Sequence, residues 1–362
     1  MNPPPSPPPP VDRGALADVR RRSRRRRAIG AAFILATFAG SFAGVWVLET
    51  SGVLEGPEWA FTMTQVADLR ASGVDGSGQV VCLVDTGIER DHPALRAVPL
   101  LGWRDFVNGR TMPYDDDGHG TSMAAILAAR GPFEGVAPGV ALLVAKVLDA
   151  QGRGTSGSLA QAAAFCADPD GDGDPADGAS VISLSLVATA TDLPVGSDVA
   201  AAVNAALRQG IVVVASAGND GLADDGDVQR PASIPGVLAV GAVDSFGAVA
   251  RFSSMGSSAG RVDPDRKPEL VAPGVDLLSA GRAGTYRLVS GTSTSAAFVA
   301  GIVALLLEAH PALAGAGTYA GVAAIKAALA GTAAPGAGQA LPHDPRFGYG
   351  IVRALAASDI LG

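Results

Sequence analysis

Gln79-Val80-Val81-Cys82-Leu83-Val84-Asp85-Thr86-Gly87 carries an apolar run that stops at an acid, a hydroxyl and a glycine. An unbroken apolar run without polar alternation predicts a strand buried on both faces, the pattern of a parallel sheet. Sites in such sheets open beyond the carboxyl ends of the strands, where Asp85 stands. Similar runs recur at 139–147, 179–185, 211–215 and 237–243. Helical segments are expected between and after them, at 117–129, 158–166, 198–209, 292–309 and 319–330. The alternation predicts an α/β fold with a doubly wound, mostly parallel sheet and helices on both faces.

Two more short segments carry chemistry. His119-Gly120-Thr121 precedes an apolar run and places an imidazole at a helix start. Gly291-Thr292-Ser293 opens a long apolar helix and places a hydroxyl on its first turn, where backbone N–H groups lack helix partners. A serine hydroxyl is a poor nucleophile until an imidazole takes its proton and a carboxylate orients that imidazole. After the strand at 211–215, Ala217-Gly218-Asn219 supplies a side-chain amide able to donate to an oxyanion.

These segments, in the order Asp85, His119, Ser293, resemble those of subtilisin-type serine proteases, the subtilases. Further shared motifs are Gly135-Val136-Ala137-Pro138, Lys146-Val147-Leu148, Val181 to Leu186 and Val271-Ala272-Pro273-Gly274, and the likeness spans about 59–361. The resemblance implies a seven-stranded sheet and a serine endopeptidase working through an acyl-enzyme. Asp85 would orient the base, His119 act as base and then acid, Ser293 attack and Asn219 hold the oxyanion. Substrate would lie extended beside Ser185, Leu186 and Val187, with Ala215 to Gly218, Ala217 among them, on another wall of the main pocket. No cofactor is required for such catalysis. The family's Ser-Leu-Gly-Gly reads Ser185-Leu186-Val187-Ala188 here, which narrows the expected groove. Its Met-Ala-x-Pro after the nucleophile reads Thr294-Ser295-Ala296-Ala297, which returns a backbone N–H to the helix.

Composition sets the outer bounds. The chain has 362 residues, 48% hydrophobic, with net charge −8. Residues 1–50 carry net +5 and the remainder net −13, and an acidic body argues against nucleic-acid binding. Residues 1–27 form a Pro- and Arg-rich tail expected on the cytoplasmic side. Residues 28–48 lack charge and would span about 32 Å as a helix at roughly 1.5 Å per residue, enough to cross a bilayer as a signal-anchor. Cleavage near Ser41-Phe42-Ala43-Gly44, giving a secreted protein, is the alternative. A stem at 49–56 leads to the catalytic domain at 57–362, with a lead-in helix at 63–70 and no room for the pro-domain that many subtilases carry. Oligomeric state is not readable. A membrane-tethered scaffold that keeps the fold without turnover is the competing function.

Other residues are less informative. Cys82 reads as a small free core residue; a bridge to Cys166 is the alternative that spacing cannot test. Asp168, Asp170, Asp172 and Asp174 alternate with Pro and Gly, as in an acidic surface turn or a calcium-binding loop. Asp115-Asp116-Asp117 reads as a solvated turn whose charge raises the pKa of His119. His92, His310 and His343 lack catalytic context.

Overall fold

A computed structural model describes residues 57–186, 197–221, 226–313 and 318–362. The expected span at 28–48, the tail and stem around it, and Val187 and Ala188 lie outside the described residues. Two short helices, α1 (Glu58–Met63) and α2 (Val66–Ala71), lead in. The sequence suggested a single helix at 63–70, but Gln65 lies at φ 60 between the two, a left-handed conformation that ends the first.

The body follows as β1 (Val80–Asp85), β2 (Leu100–Asp105), α3 (His119–Ala128), β3 (Ala141–Lys146), α4 (Ser156–Ala167), β4 (Val181–Leu184), α5 (Ser197–Arg208), β5 (Val212–Ser216), β6 (Leu238–Val243) and β7 (Leu270–Pro273). A hairpin, β8 (Leu277–Ala280) and β9 (Tyr286–Val289), then delivers the chain to α6 (Thr292–Ala309), α7 (Tyr319–Thr332) and α8 (Ala354–Leu361). β1 to β7 form one parallel seven-stranded sheet in the order β2-β3-β1-β4-β5-β6-β7. Helices α3 and α6 pack together against the sheet, while α4 and α5 pair with each other and meet it separately. The inner strands are buried along their length, as their apolar runs require.

α6 shows most directly how sequence becomes architecture. From Thr292 to Leu307 its residues are apolar or small around the whole circumference, and all of them are buried. A helix without a polar face has no side to offer water, so it becomes the axis of the core. Among the described residues it alone has the length and apolarity to cross a membrane, and here those properties serve burial.

The two cysteines correct the expectation. Cys82 is not a free thiol: it is bonded to Cys166, joining β1 to α4 with a Cα–Cα distance of 5.6 Å. Cys82 faces the layer that α4 occupies, and the last turn of α4 brings Cys166 over the strand. The bridge closes a loop with a sequence separation of 84. Restricting the unfolded chain in this way typically stabilises by about 2–4 kcal/mol.

Charges inside the core are paired. Lys267 Nζ donates to Glu269 Oε1 at 2.7 Å and Lys326 Nζ to the same oxygen at 2.8 Å, with Asp265 as a further partner of Lys326. This network pins α7 to the last strand of the sheet. Burial pushes the Lys267 amine below its ordinary value despite the Glu269 charge beside it.

Candidate active site

Asp85 ends β1 at the carboxyl edge of the sheet and is fully buried. Its Oδ1 accepts the Thr86 N–H at 2.7 Å, while Oδ2 has no hydrogen-bond partner among the described residues. The turn after it is braced from the neighbouring strand. Lys146, at the end of β3, donates from Nζ to the Thr86 carbonyl at 2.6 Å, to Asp116 Oδ1 at 2.6 Å and to the Leu148 carbonyl at 2.7 Å. The sequence contained a signal for this brace: a single cation ending an otherwise apolar strand.

His119 is the first residue of α3. Gly118 before it takes φ +98, a conformation that favours glycine, and so turns the chain into the helix. Gly120 lies against the acid's own loop: a Cβ there would meet the Gly87 carbonyl oxygen at 2.2 Å. Thr86 Oγ1 also accepts the Gly120 N–H at 2.8 Å. With the two backbones in contact, His119 Nδ1 reaches Asp85 Oδ1 at 2.7 Å. Burial disfavours the imidazolium, but the Asp85 carboxylate, with Asp117 and Asp115 beyond it, outweighs that and raises the His119 pKa above its ordinary value.

Asp115 departs from the expected solvated turn. Its Oδ1 accepts from Thr86 Oγ1 and the Gly118 N–H, and its Oδ2 from the N–H and Oγ1 of Thr121. Desolvation raises its pKa, yet these donors prevail and hold it below the ordinary carboxylate value. It therefore links the loop of the acid to the helix of the base. Asp117 caps the same helix, accepting the His119 N–H at 3.0 Å.

Ser293 is the second residue of α6 and is 5% exposed. Its Oγ donates to the Ser185 carbonyl at 3.1 Å, and Ser185 Oγ donates back to the Ser293 carbonyl at 3.2 Å. Its N–H lies in the first helical turn, where no helix carbonyl is in reach. Asn219 Oδ1 accepts the Thr292 N–H at 2.9 Å and Thr292 Oγ1 at 3.0 Å, and among the described residues Nδ2 has no acceptor. His119, Asn219 and Ser293 line one cavity of about 310 Å³ with Met123, Arg287 and Val289.

The remaining expected residues divide. Ser185 touches Ser293 directly, whereas Leu186, Ala217 and Gly218 are buried behind the cavity wall, Gly218 through its N–H to Thr292 Oγ1 at 3.2 Å. Asp168 and Asp170 come together with Asp177, one carboxylate oxygen from each lying within 4.8 Å of the others. Asp172 and Asp174 stay outside this cluster and accept N–H groups of their own turns, from Asp174 and Ala176. All-oxygen donors suit calcium, although both Asp168 oxygens already accept, from the Gly171 and Gly173 N–H groups. His92 is buried between the Thr285 carbonyl and the Ala94 N–H, His310 pairs with Ser358, and His343 meets the Pro268 carbonyl.

Comparison with known proteins agrees with the geometry. The profile of the Subtilase family matches residues 76–350. The Thermophilic serine proteinase of Bacillus sp. (strain AK1) is 37% identical over 234 residues, 64% of this chain and 52% of that protein. Subtilisin DY of Bacillus licheniformis is 36% identical over 250 residues, 68% of this chain and 82% of its own length. Serine protease AprX of Bacillus subtilis (strain 168) is 35% identical over 266 residues, covering 66% and 59%. The chain thus spans about half the length of the first of these relatives.

Proposed function

The chain belongs to the subtilase family, and on that premise we propose that it is a serine endopeptidase whose catalytic groups are Asp85, His119 and Ser293, with Asn219 as an oxyanion donor. The observation that carries the reading is the Asp85–His119 pair at 2.7 Å beside a cavity that Ser293 and Asn219 share. In this mechanism Ser293 Oγ attacks the peptide carbonyl while His119 Nε2 takes its proton. The Ser293 N–H and Asn219 Nδ2 hold the oxyanion. His119 then protonates the leaving amine, and water releases the acyl group by the same route. The Ser293 hydroxyl turns from Ser185 towards the imidazole as substrate seats, a closure common to catalytic hydrogen bonds. No cofactor enters this chemistry. Calcium at Asp168, Asp170 and Asp177 would brace the loop between α4 and β4 and take no part in it.

A silent scaffold is the weaker alternative, because it has no use for an aligned acid and base and a free amide donor around one cavity. We place the catalytic domain outside the cytoplasm, on a single-pass anchor at 28–48, with peptides or proteins as substrates. The basic cluster before that apolar segment supports the orientation, and the Cys82–Cys166 bridge supports an oxidising compartment. Treated with a fluorophosphonate, the protein is expected to lose casein hydrolysis and to carry the label on the peptide containing Ser293. Label on another residue, or hydrolysis unaffected by labelling, would count decisively against the assignment.

The raised His119 pKa has a consequence for pH dependence. The imidazole must be neutral to accept a proton, so kcat/KM should rise with pH through that raised value. Asp117→Asn removes one of the charges that raise it and keeps an acceptor for the His119 N–H. The acid limb should then move to lower pH by a few tenths of a unit, roughly the size of a part-screened charge effect. A limb that stays in place or moves upward would show that Asp117 does not set the base. The linkage to stability runs alongside: the raised pKa stabilises the fold at low pH, and that contribution is lost as pH rises through the folded value.

A further inference from the structure

Arg287 is the second residue of β9 and borders the cavity of His119 and Ser293. Its guanidinium is anchored to α3: Nε and Nη2 donate to Ser122 Oγ at 3.3 and 2.9 Å, and Nη2 reaches the Gly118 carbonyl at 3.5 Å. These acceptors are neutral oxygens. Among the described residues no carboxylate forms an ion pair with Arg287; several other arginines share that state, but Arg287 is the one that lines this cavity. Its Nη1 makes no hydrogen bond among those residues either. An otherwise acidic body therefore presents one anchored, uncompensated, exposed guanidinium at the mouth of the catalytic cavity.

Its place relative to the scissile bond follows from the chemistry. Ser185 and Gly218 flank the nucleophile through their contacts with Ser293 and Thr292. Arg287 is fastened instead to Gly118 and Ser122, on the helical turn that carries the imidazole. The imidazole protonates the departing amine, so the leaving half of the substrate passes on its side. A planar fork with a free edge suits a carboxylate better than any neutral group.

Resting on the endopeptidase reading above, we infer that Arg287 is a specificity-determining residue, one that selects a carboxylate on the leaving-group side of the cut bond. Asp and Glu side chains and a free chain terminus share that chemistry, and the substrates of the test separate them.

The experiment uses internally quenched peptides that differ only in Asp or Asn at each of the first three positions after the scissile bond. A second pair carries a free or an amidated C-terminus. Active-site titration normalises every rate. Wild type should cut the carboxylate peptide about tenfold faster in kcat/KM at one position, the scale of a partly exposed charged pair. That ratio should shrink in about 1 M NaCl, where screening is nearly complete within a few ångströms. Arg287→Gln should bring the ratio close to one, and Arg287→Glu should turn the preference towards Lys. An Arg that merely ties β9 to α3 would lower all rates together and leave the ratios unchanged, and that result overturns the inference. So does equal cleavage of Asp and Asn peptides, and of free and amidated ones, by wild type. Cleavage of no peptide, with no fluorophosphonate uptake, overturns the endopeptidase reading and this one with it.

Discussion

Ser293→Ala is expected to lower kcat by about 10⁶-fold, because it removes the proposed nucleophile. Ser185 Oγ lies against Ser293, but it donates to the Ser293 carbonyl and Ser185 is 2% exposed. The fold should survive the change. Ser293 makes one side-chain hydrogen bond, to the Ser185 carbonyl, and losing a single bond of that kind costs about 1 kcal/mol. Unchanged circular dichroism and a near-native melting temperature would therefore accompany the loss of casein hydrolysis. Residual turnover, supplied by the Ser293 N–H and Asn219, should remain about 10³-fold above the uncatalysed reaction. A variant that keeps more than about a hundredth of wild-type kcat would remove Ser293 from the nucleophile's role, given that expected scale.

Asp85→Asn is expected to cost about 10⁴-fold in kcat with little loss of structure. Asp85 Oδ1 serves two donors, the His119 ring and the Thr86 N–H. Either orientation of the new amide is harmful. With Nδ2 towards the ring, the imidazole is held in the tautomer whose Nε2 carries a proton and cannot accept another. With Oδ1 towards the ring, both bonds survive, but the charge that stabilises the imidazolium is gone. The NH₂ group then occupies the Oδ2 position, which is buried and has no partner. The same substitution removes the Asp85 charge, the strongest influence raising the His119 pKa against burial, so the remaining activity should extend to lower pH. A loss below about tenfold, on a scale where 10⁴ is expected, would place Asp85 outside the catalytic unit.

The sequence revealed the parts whose burial leaves a regular trace. β1, β5 and β6 are uninterrupted apolar runs, and α6 lies over the range its composition suggested. Other elements were hidden for identifiable reasons. β2 is an edge strand that is half-exposed and carries Trp103 and Arg104, so it shows neither alternation nor an apolar run. β8 and β9 are four residues each, too short for a period to emerge. β7 was visible as the motif Val271-Ala272-Pro273 but not as a strand, since a terminal proline argues against one.

At the proposed site, Asp85, His119, Ser293 and Asn219 stand out in the sequence because glycines and helix starts flank them. The supports do not. Asp115 resembles any other acid in a run of three until its acceptor oxygens are found among five donors. The Cys82–Cys166 bond and the membership of Asp177 in the acidic cluster depend on through-space distance, which linear spacing does not encode. Arg287 carries no motif at all, and only the hairpin's return to α3 gives it a place beside the cavity.

The contact between Gly120 and the Gly87 carbonyl bears on how freely this protein could be redesigned. The gap between carboxylate and imidazole is set there by peptide groups in direct contact, with the Thr86 and Asp115 side chains tying the two segments together. Residues on the outer surface of both loops can change widely without disturbing that separation. A transplant of this machinery to another scaffold would need to carry both glycines, since a methyl group on Gly120 would strike the Gly87 carbonyl and one on Gly87 would strike the Tyr114 carbonyl.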